Sequence, residues 1–453
     1  MAKAPPKARD SSFRSIPSVE RILSAASFGP LVSEFGRERV KEAVVEHLVT
    51  IRAGGGSWDE EPAIEAVQAM LSAATATTLT RTINGTGVII HTNLGRSPID
   101  PSIWLEAESI VTGYSNLEFD LDSGDRGARD EHLTNICRAL FGCEAAILTN
   151  NNAAGTMLLL ASIAAGREVV VSRGELVEIG GAFRVPDVIQ QGGAKLREVG
   201  TTNRTRARDY TDAISRRTGA ILRVHRSNFD IVGFTETPEI AELIDVARAK
   251  KVPLLYDEGS GRPVDLSRYG FAPAPTIAEL IARGVDAVTC STDKLLGATQ
   301  GGLILGREEL IAKCRRHPLM RALRVGKETY AVVAATLRAF ATGKHEERIP
   351  VYRMLATPLE LLRTRGEQVT RNTQAKLIDS RCALGGGTTP TETMPSLAIE
   401  VPGDANALHT RFLQNDPPIV GRIQNDRFTL DLRTLQESDL GAVAAALRSS
   451  LSS

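Results

Sequence analysis

The sequence lacks three features that would identify whole classes of protein. Its 453 residues contain 54 basic and 54 acidic side chains, so net charge does not indicate nucleic-acid binding. Its five cysteines show no metal-type spacing, which favours reduced thiols in a cytoplasmic protein. No apolar run approaches the ~18 residues that a membrane-spanning helix needs. We therefore expect a cytoplasmic protein with no metal site and no membrane partner.

The N-terminal region differs in composition from the rest of the chain. Residues 1–15, which begin MAKAPPKARDSS, are basic but are followed by no apolar core, so we predict a disordered tail rather than a signal peptide. Apolar residues then recur at helical spacing, as at Val40, Val44 and Leu48. This pattern predicts a small helical domain over residues 16–78.

From about residue 79, short apolar runs alternate with helical segments. AAILT (145–149) and VPLLYD (252–257) are typical of buried strands, and the stretch PEIAELIDVARAKK is typical of a helix. The alternation predicts an α/β domain with a mostly parallel sheet over residues 79–335. A helical stretch and further strand-like runs then predict a smaller α+β domain over 336–453. In parallel sheets, ligands bind at the carboxyl ends of the strands.

Three predicted strand ends carry residues that together suit one cofactor. The run TNNNAAGT follows one strand, and small and amide residues at a helix start let a phosphate approach the backbone. Asp257 follows a second strand, where an acid can pair with a cationic ring nitrogen. Lys294, in STDKLLG, follows a third strand, where a desolvated amine can form a Schiff base with an aldehyde. Pyridoxal phosphate needs such a lysine and often such an acid.

Each of these features has an ordinary structural alternative. An asparagine before a helix commonly caps it with nothing bound. An acid at a strand end is often a helix cap or a loop anchor, and spacing alone gives such a structural role for Asp257 about the same weight as pairing with a cationic ring nitrogen. A lysine after a strand is usually solvated. The three features favour a cofactor site only when they are taken together.

A basic segment follows the lysine. Residues 313–344 hold eight Lys or Arg residues and one acid, Glu328. Arg321 and Arg324 are three residues apart and would share a helix face, and Arg96, in HTNLGRSP, is a further candidate. Guanidinium groups suit phosphate, whereas a solvated basic face is the commoner cause of such a run. The segment therefore predicts a site for a small anion, a nucleic-acid backbone, or neither.

Ordered blocks along nearly the whole chain resemble the bacterial selenocysteine synthases, L-seryl-tRNA(Sec) selenium transferases of fold type I that use pyridoxal 5′-phosphate. The blocks run from about Ile16 to the C-terminus and include RTINGTGVIIHTNLGRSPI, TNNNAAGT, STDKLLG and ALRVGKETY. The resemblance implies an aspartate aminotransferase-like α/β fold with a helical, tRNA-binding N-terminal domain. It also implies conversion of seryl-tRNA(Sec) to selenocysteyl-tRNA(Sec) with selenophosphate as donor, by a ring-like homo-oligomer that is typically a decamer.

The resemblance also assigns roles to individual residues. Lys294 would hold the cofactor as a Schiff base, Asp257 would pair with its pyridine nitrogen, and Asp293 would assist proton movement at the leaving hydroxyl or the donor. The phosphate of the selenium donor would be bound by three arginines: Arg96, Arg321 and Arg324. The remaining cofactor contacts would come from the following residues: Asn150, Asn151, Asn152, Ala153, Ala154 and Ser291.

Several positions depart from the family's common pattern, and two other functions compete with the one above. The departures affect the fine shape of the cofactor pocket and fall at Gly155, Arg226, Glu258, Thr292, Ala298 and Thr299. One competing function is a related lyase for a free amino acid or amino sugar, which would need no tRNA. The other is a catalytically silent RNA-binding protein. The helical N-terminal domain argues against the first, and the presence of Lys294 and Asp257 argues against the second.

Overall fold

The chain forms two compact units, which divide between Arg81 and Thr82. The computed structural model describes four ranges: 16–54, 56–180, 183–389 and 391–451. The predicted disordered tail over residues 1–15 lies outside the described residues. The predicted boundary at 335/336 falls inside the second unit and stays a prediction. In the part of the chain that the structure describes, no helix has both the length and the apolar character to cross a membrane.

The first unit is built from helices around a small apolar core. Its helices are α1 (Val19–Leu23), α2 (Gly29–Phe35), α3 (Arg37–Gly54) and α4 (Glu60–Thr75). The apolar stripe that the sequence places on α3, including Val40, Val44 and Leu48, is buried against Phe28 and Val67. Helical spacing of apolar residues therefore predicted which face of α3 is buried.

The second unit combines strands with helices. Its strands are β1 (Ile83–Asn84), β2 (Ala145–Thr149), β3 (Glu168–Ser172), β4 (Glu178–Ile179), β5 (Phe183–Arg184), β6 (Lys195–Val199), β7 (Thr218–Val224), β8 (Leu254–Gly259), β9 (Ala287–Ser291), β10 (Gly302–Gly306), β11 (Lys376–Ala383), β12 (Thr393–Val401), β13 (Ile419–Val420), β14 (Arg422–Gln424) and β15 (Arg427–Asp431). Its helices are α5 (Pro101–Thr112), α6 (Glu131–Phe141), α7 (Asn152–Ala164), α8 (Val185–Gln191), α9 (Ala207–Ala213), α10 (Ile240–Lys250), α11 (Ile277–Arg283), α12 (Glu308–Arg316), α13 (Leu319–Leu323), α14 (Lys327–Ala341), α15 (His345–Arg348), α16 (Pro350–Ala356), α17 (Leu359–Thr370), α18 (Ala405–Leu413) and α19 (Leu440–Leu451).

Seven strands form the central sheet, in the order β2-β10-β9-β8-β7-β3-β6. The strands from β9 to β6 pair in parallel, whereas β10 is antiparallel to both of its neighbours. Alternate residues of the inner strands enter two separate apolar cores, as Val170 and Val171 of β3 do. Both faces of the sheet are therefore covered, which is the usual arrangement of parallel strands. The predicted α/β fold with a mostly parallel sheet is confirmed, and β10 is the exception.

The reversed direction of β10 brings two strand ends together. Its first residue, Gly302, pairs with Thr149 at the end of β2 and with Ser291 at the end of β9. A Cβ atom on Gly302 would lie 2.0 Å from the carbonyl oxygen of Asn151. Only glycine therefore allows the turn after β2 to approach the segment that carries Lys294.

A smaller antiparallel sheet lies in the C-terminal part of the second unit. Its strand order is β11-β12-β15-β14, and its core includes Leu362 of α17, Phe412 of α18 and Phe428 of β15. After β11 the chain enters residues 384–389, which we call the glycine loop. The backbone N–H of Ile90 donates to the carbonyl oxygen of Leu384 at 2.7 Å, so the glycine loop is fixed to the segment before Arg96.

Candidate active site

Lys294 lies in the turn after β9 and is buried. Only 7% of the residue is exposed, and its Nζ atom donates hydrogen bonds to the carbonyl oxygens of Gly259 at 3.1 Å and Gly387 at 3.2 Å. Burial lowers the pKa of this amine, and the nearby Arg96 cation lowers it further, while Asp257 opposes the shift. The amine is therefore easier to deprotonate than an ordinary lysine, as a nucleophile requires.

Asp257 lies within β8, next to the strand that leads to Lys294. Its Oδ1 atom accepts hydrogen bonds from Asn152 Nδ2 at 2.7 Å and from Thr289 Oγ1 at 3.4 Å. Burial raises the pKa of this carboxyl group, while the amide of Asn152 and the charge of Lys294 lower it. Within the described residues no hydrogen bond reaches Oδ2, which leaves that oxygen for a further donor.

The turn after β2 ends in the N-terminus of helix α7. Asn151 caps this helix, because its Oδ1 atom accepts the backbone N–H of Ala154 at 2.9 Å. The N–H groups of Asn152 and Ala153 make no hydrogen bond to the part of the chain that the structure describes. Free N–H groups and the helix dipole together suit an anion such as a phosphate.

Asp293 forms an ion pair with Arg96 directly beside Lys294. The Nη1 atom of Arg96 donates to Asp293 Oδ2 at 2.7 Å. Asp293 is 6% exposed, and its other oxygen, Oδ1, is buried with no hydrogen-bond partner among the described residues. Arg96 has a φ of 65°, a left-handed conformation that is uncommon for arginine and is often found at functional sites.

The other two predicted arginines differ from Arg96. The backbone of Arg324 forms a bridge with Thr149 at the end of β2, and its Nη1 atom donates to Glu118 Oε1 at 2.9 Å. Arg321 is exposed, and its side chain makes no hydrogen bond or ion pair to the residues that the structure describes. The structure thus ties Arg96 and Arg324 to the predicted site by contacts, and it does not tie Arg321.

The last two predicted residues lie at strand ends. Asn150 is exposed, and its backbone N–H donates to the Leu323 carbonyl oxygen at 2.9 Å, so the turn after β2 lies against the end of α13. Ser291 ends β9 and is buried. A Cβ atom on Gly261 would lie 2.3 Å from the Ser291 carbonyl oxygen, so the chain after β8 packs closely against this strand end.

The sequence pattern does not indicate either acceptor of the Lys294 amine. Gly259 and Gly387 accept through backbone carbonyl oxygens, which every residue type has, so no side-chain pattern reveals them. A usable signal was the glycine itself, since both residues have positive φ angles of 69° and 82°. The stretches DEGSG and LGGGT carry this signal in the sequence.

Glu258, one of the departures from the family pattern, accepts hydrogen bonds from the backbone of the turn that follows it. It is 4% exposed, and its Oε2 atom accepts the backbone N–H groups of Gly261 at 2.5 Å and Arg262 at 3.3 Å. The buried carboxylate therefore fixes the turn that carries Gly259.

The residues present fit pyridoxal phosphate. Its aldehyde requires an amine such as that of Lys294, its pyridine nitrogen suits the free oxygen of Asp257, and its phosphate suits the start of α7. The Oδ1 atom of Asn152 is buried without a hydrogen-bond partner among the described residues, as expected of a site built for another molecule. Across those residues no three His, Cys, Asp or Glu side chains are grouped to hold a metal ion.

Comparisons with known proteins point to one family. Residues 82–436 match the family of L-seryl-tRNA selenium transferases, and residues 13–52 match the family described as selenocysteine synthase N terminal. The L-seryl-tRNA(Sec) selenium transferase of Geobacter sulfurreducens is 43% identical over 455 residues, which cover 96% of this chain and 98% of the relative. That of Geobacter metallireducens is 44% identical over 456 residues, which cover 96% and 99%.

A solved structure shares the fold. D-glucosaminate-6-phosphate ammonia-lyase superposes with a TM-score of 0.61 at 21% identity, over 82% of this chain and 95% of that chain. At this identity the likeness concerns the fold alone.

Proposed function

The chain belongs to the family of L-seryl-tRNA selenium transferases, and we propose that it converts seryl-tRNA(Sec) to selenocysteyl-tRNA(Sec) with pyridoxal 5′-phosphate as its cofactor. The observation that carries the proposal is the buried Lys294 amine, whose pKa is lowered, near a carboxylate in β8 that is bonded to Asn152 at the start of α7. Lys294 and Asp257 would hold the cofactor at its aldehyde and ring nitrogen, and the backbone of Asn152 and Ala153 would hold its phosphate.

The chemistry divides between the cofactor and the side chains. When bound, pyridoxal phosphate withdraws electrons from the amino-acid carbon that it holds. The amine of Lys294 can accept the seryl α-proton, because its lowered pKa leaves it uncharged at a lower pH than an ordinary lysine. The hydrogen bond from Asn152 lowers the pKa of Asp257 against the rise that burial causes, and so favours the ionised form that would face a protonated ring nitrogen.

Asp293 would transfer a proton to or from the reacting hydroxyl. Its buried Oδ1 atom has no partner among the described residues, so it can accept or return a proton. The ion pair with Arg96 holds the carboxylate in place beside Lys294. This role stays a proposal for Asp293, as do the cofactor-binding roles of the other predicted residues.

The selenium donor would be selenophosphate, bound through its phosphate. Arg96 binds Asp293, which follows β9, and the backbone of Arg324 pairs with Thr149 at the end of β2. Guanidinium groups suit tetrahedral oxyanions such as phosphate. Arg321, one helical turn before Arg324, would complete the set. Selenium would then take the position that the hydroxyl leaves as water, while the donor's phosphorus–selenium bond breaks and a water oxygen replaces selenium on phosphorus, which releases phosphate.

The tRNA would be recognised partly by the helical first unit. The match of residues 13–52 to the N-terminal family supports this assignment. The net charge does not support it, since residues 16–81 contain six Lys or Arg and nine Asp or Glu. Recognition would then depend on shape and on particular contacts rather than on a general positive field.

A homo-oligomer, of the ring-like decameric kind, is the assembly that we propose. Helix α5 and the chain after it expose six large apolar side chains: Trp104, Leu105, Ile110, Tyr114, Phe119 and Leu121. Exposed apolar groups close together along the chain are typical of contact surfaces between subunits. We also propose a cytoplasmic location, since the five cysteines are free and buried.

The related lyase activity without tRNA is the weaker alternative. The fold is shared with an ammonia-lyase, but only at 21% identity. The relatives that are 43% and 44% identical are both named selenium transferases, and the alignments cover nearly their whole length. The match to the N-terminal family extends the likeness to the first unit.

One experiment tests the function directly. The purified protein is incubated with seryl-tRNA(Sec) and selenophosphate, and the amino acid on the tRNA is then identified by mass spectrometry. We expect selenocysteine with the parent chain and unchanged serine with Lys294→Ala. Conversion of free serine, with none on the tRNA, would favour the lyase instead.

A further inference from the structure

The Lys294 amine has a neighbour that comes from the C-terminal part of the chain. The carbonyl oxygen of Gly387 accepts from Nζ at 3.2 Å across 93 residues of sequence, while Gly259 accepts from the other side at 3.1 Å. A Cβ atom on Gly387 would lie 2.5 Å from Nζ and 3.0 Å from Cε. The amine therefore occupies the space that any side chain at position 387 would fill.

The glycine loop is fixed in this position by bonds from a third segment. The backbone N–H of Gly387 donates to the carbonyl oxygen of Ser227 at 3.2 Å. The ring Nε2 atom of His225 lies 3.0 Å from the carbonyl oxygen of Thr388, an acceptor, so this nitrogen carries the proton and donates. Both partners follow β7, so the end of the central sheet holds the loop against Lys294.

We infer that Gly387 is a positioning residue for Lys294: its carbonyl oxygen and its missing side chain set where the amine meets an aldehyde. The inference rests on the proposed function, because the position of the amine matters for chemistry only if the amine binds the cofactor. It extends the active site to Gly387, which contributes backbone rather than a side chain.

Three alanine variants separate positioning from backbone strain. Gly387→Ala adds the colliding Cβ at a φ of 82°. Gly386→Ala changes the neighbouring residue, where the nearest atom to a Cβ is Thr92 Oγ1 at 3.7 Å and φ is not left-handed. Gly270→Ala, outside the site, adds a Cβ in open space at a φ of 89°, so it carries the strain without the collision.

The readouts are the affinity for pyridoxal 5′-phosphate, the rate at which the visible, borohydride-sensitive absorbance forms, and the Tm without cofactor. The full-length protein is used throughout. We expect Gly387→Ala to lose about tenfold or more in affinity and in rate. Gly270→Ala should lower only the Tm, and Gly386→Ala should change none of the three.

The outcomes distinguish the inference from the proposed function. If the parent chain forms no borohydride-sensitive absorbance, the proposed function fails and the inference fails with it. If the parent forms it and Gly387→Ala matches Gly270→Ala in affinity and rate, only the inference is overturned.

A second pair of variants decides the matter if Gly387→Ala does not fold. His225→Ala removes the side-chain bond to the glycine loop, and His225→Gln keeps an N–H donor for Thr388. We expect slower formation of the absorbance with alanine and recovery with glutamine. Equal rates in the two variants would overturn the inference.

Discussion

Replacement of Asn152 by alanine tests whether the carboxylate in β8 must be ionised for the cofactor to bind. The Asn152 amide donates to Asp257 at 2.7 Å, and this bond lowers a carboxyl pKa that burial raises. A hydrogen bond to a charged group contributes about 1.5–3 kcal/mol. Because 1.36 kcal/mol corresponds to a factor of ten, we expect Asn152→Ala to weaken binding of pyridoxal 5′-phosphate by about 10- to 150-fold.

The pH dependence follows from the sign of the shift. Loss of the amide raises the pKa of Asp257 further, so the variant keeps its carboxyl proton to a higher pH than the parent. The loss of affinity should therefore be greatest at low pH and should shrink as the pH rises. Cofactor titration by absorbance at several pH values measures this. An affinity within about twofold of the parent at every pH would refute the role given to the Asn152 amide.

Two further variants provide a comparison with a longer bond to Asp257 and a control outside the site. Thr289→Val removes the longer bond to Asp257, at 3.4 Å, and should cost less affinity than Asn152→Ala. Asn415→Ala removes an amide-to-carbonyl bond of 2.9 Å to Pro417, outside the candidate site, and should leave cofactor binding unchanged. A loss with Asn415→Ala as large as with Asn152→Ala would attribute the effect to general loss of stability.

Three other predictions concern charged residues of the site. Burial raises the pKa of Asp257 above its ordinary value of 3.8, so the ionised carboxylate destabilises the cofactor-free fold increasingly as the pH rises above that value. Asp257→Asn should therefore raise the Tm of the cofactor-free protein, by more at higher pH. The same variant should have no activity. The cation of Arg96 lowers the pKa of Lys294, so Arg96→Gln should move the pH midpoint of Lys294 labelling by an amine reagent upward, and a downward shift would contradict the assigned cause. Arg321→Ala and Arg324→Ala should each lower kcat/KM for selenophosphate by about 10- to 150-fold, because a hydrogen bond to a charged group contributes ~1.5–3 kcal/mol. Unchanged kcat/KM for selenophosphate in both variants would show that these arginines do not bind the donor. The Tm should fall only for Arg324→Ala, which loses its partner Glu118.

The sequence predicted the reactive side chains because their positions follow from a local rule. Lys294 and Asp257 each lie at or near the end of a buried strand, and the carboxyl ends of parallel strands meet at one edge of a sheet. The spacing of apolar residues was enough to locate both strands. The structure then added what the pattern could not contain, namely that Lys294 is buried and that Gly259 lies beside both Lys294 and Asp257.

The central sheet shows what a local pattern cannot decide. GLILG in β10 is as buried as its neighbours, so its composition does not reveal that it runs antiparallel to them. Strand β6, KLREV, has no continuous apolar run, since it lies at the sheet edge with most of its side chains exposed or half-buried. An edge strand needs no continuous apolar run, and the sequence pattern there is correspondingly weak.

Contacts between distant parts of the chain account for the remaining differences. Arg324 pairs with Glu118, which precedes it by 206 residues, and such pairing leaves no periodic signal. Residues 1–15, which lie outside the described residues, are basic, whereas residues 16–81 carry more acidic than basic side chains. Here the family match, and not charge, supports a role in tRNA binding.

Three glycines allow separate segments of the chain to pack closely around the candidate active site. A Cβ atom would lie 2.0 Å from the Asn151 carbonyl oxygen at Gly302, 2.3 Å from that of Ser291 at Gly261, and 2.5 Å from the Lys294 Nζ atom at Gly387. Each glycine therefore removes a side chain where two segments must pack backbone to backbone or backbone to amine. The side chains of the site supply the chemistry, but their separation is set by residues that have none. A sequence with the same lysine and aspartate but larger residues at these three positions would not form this site.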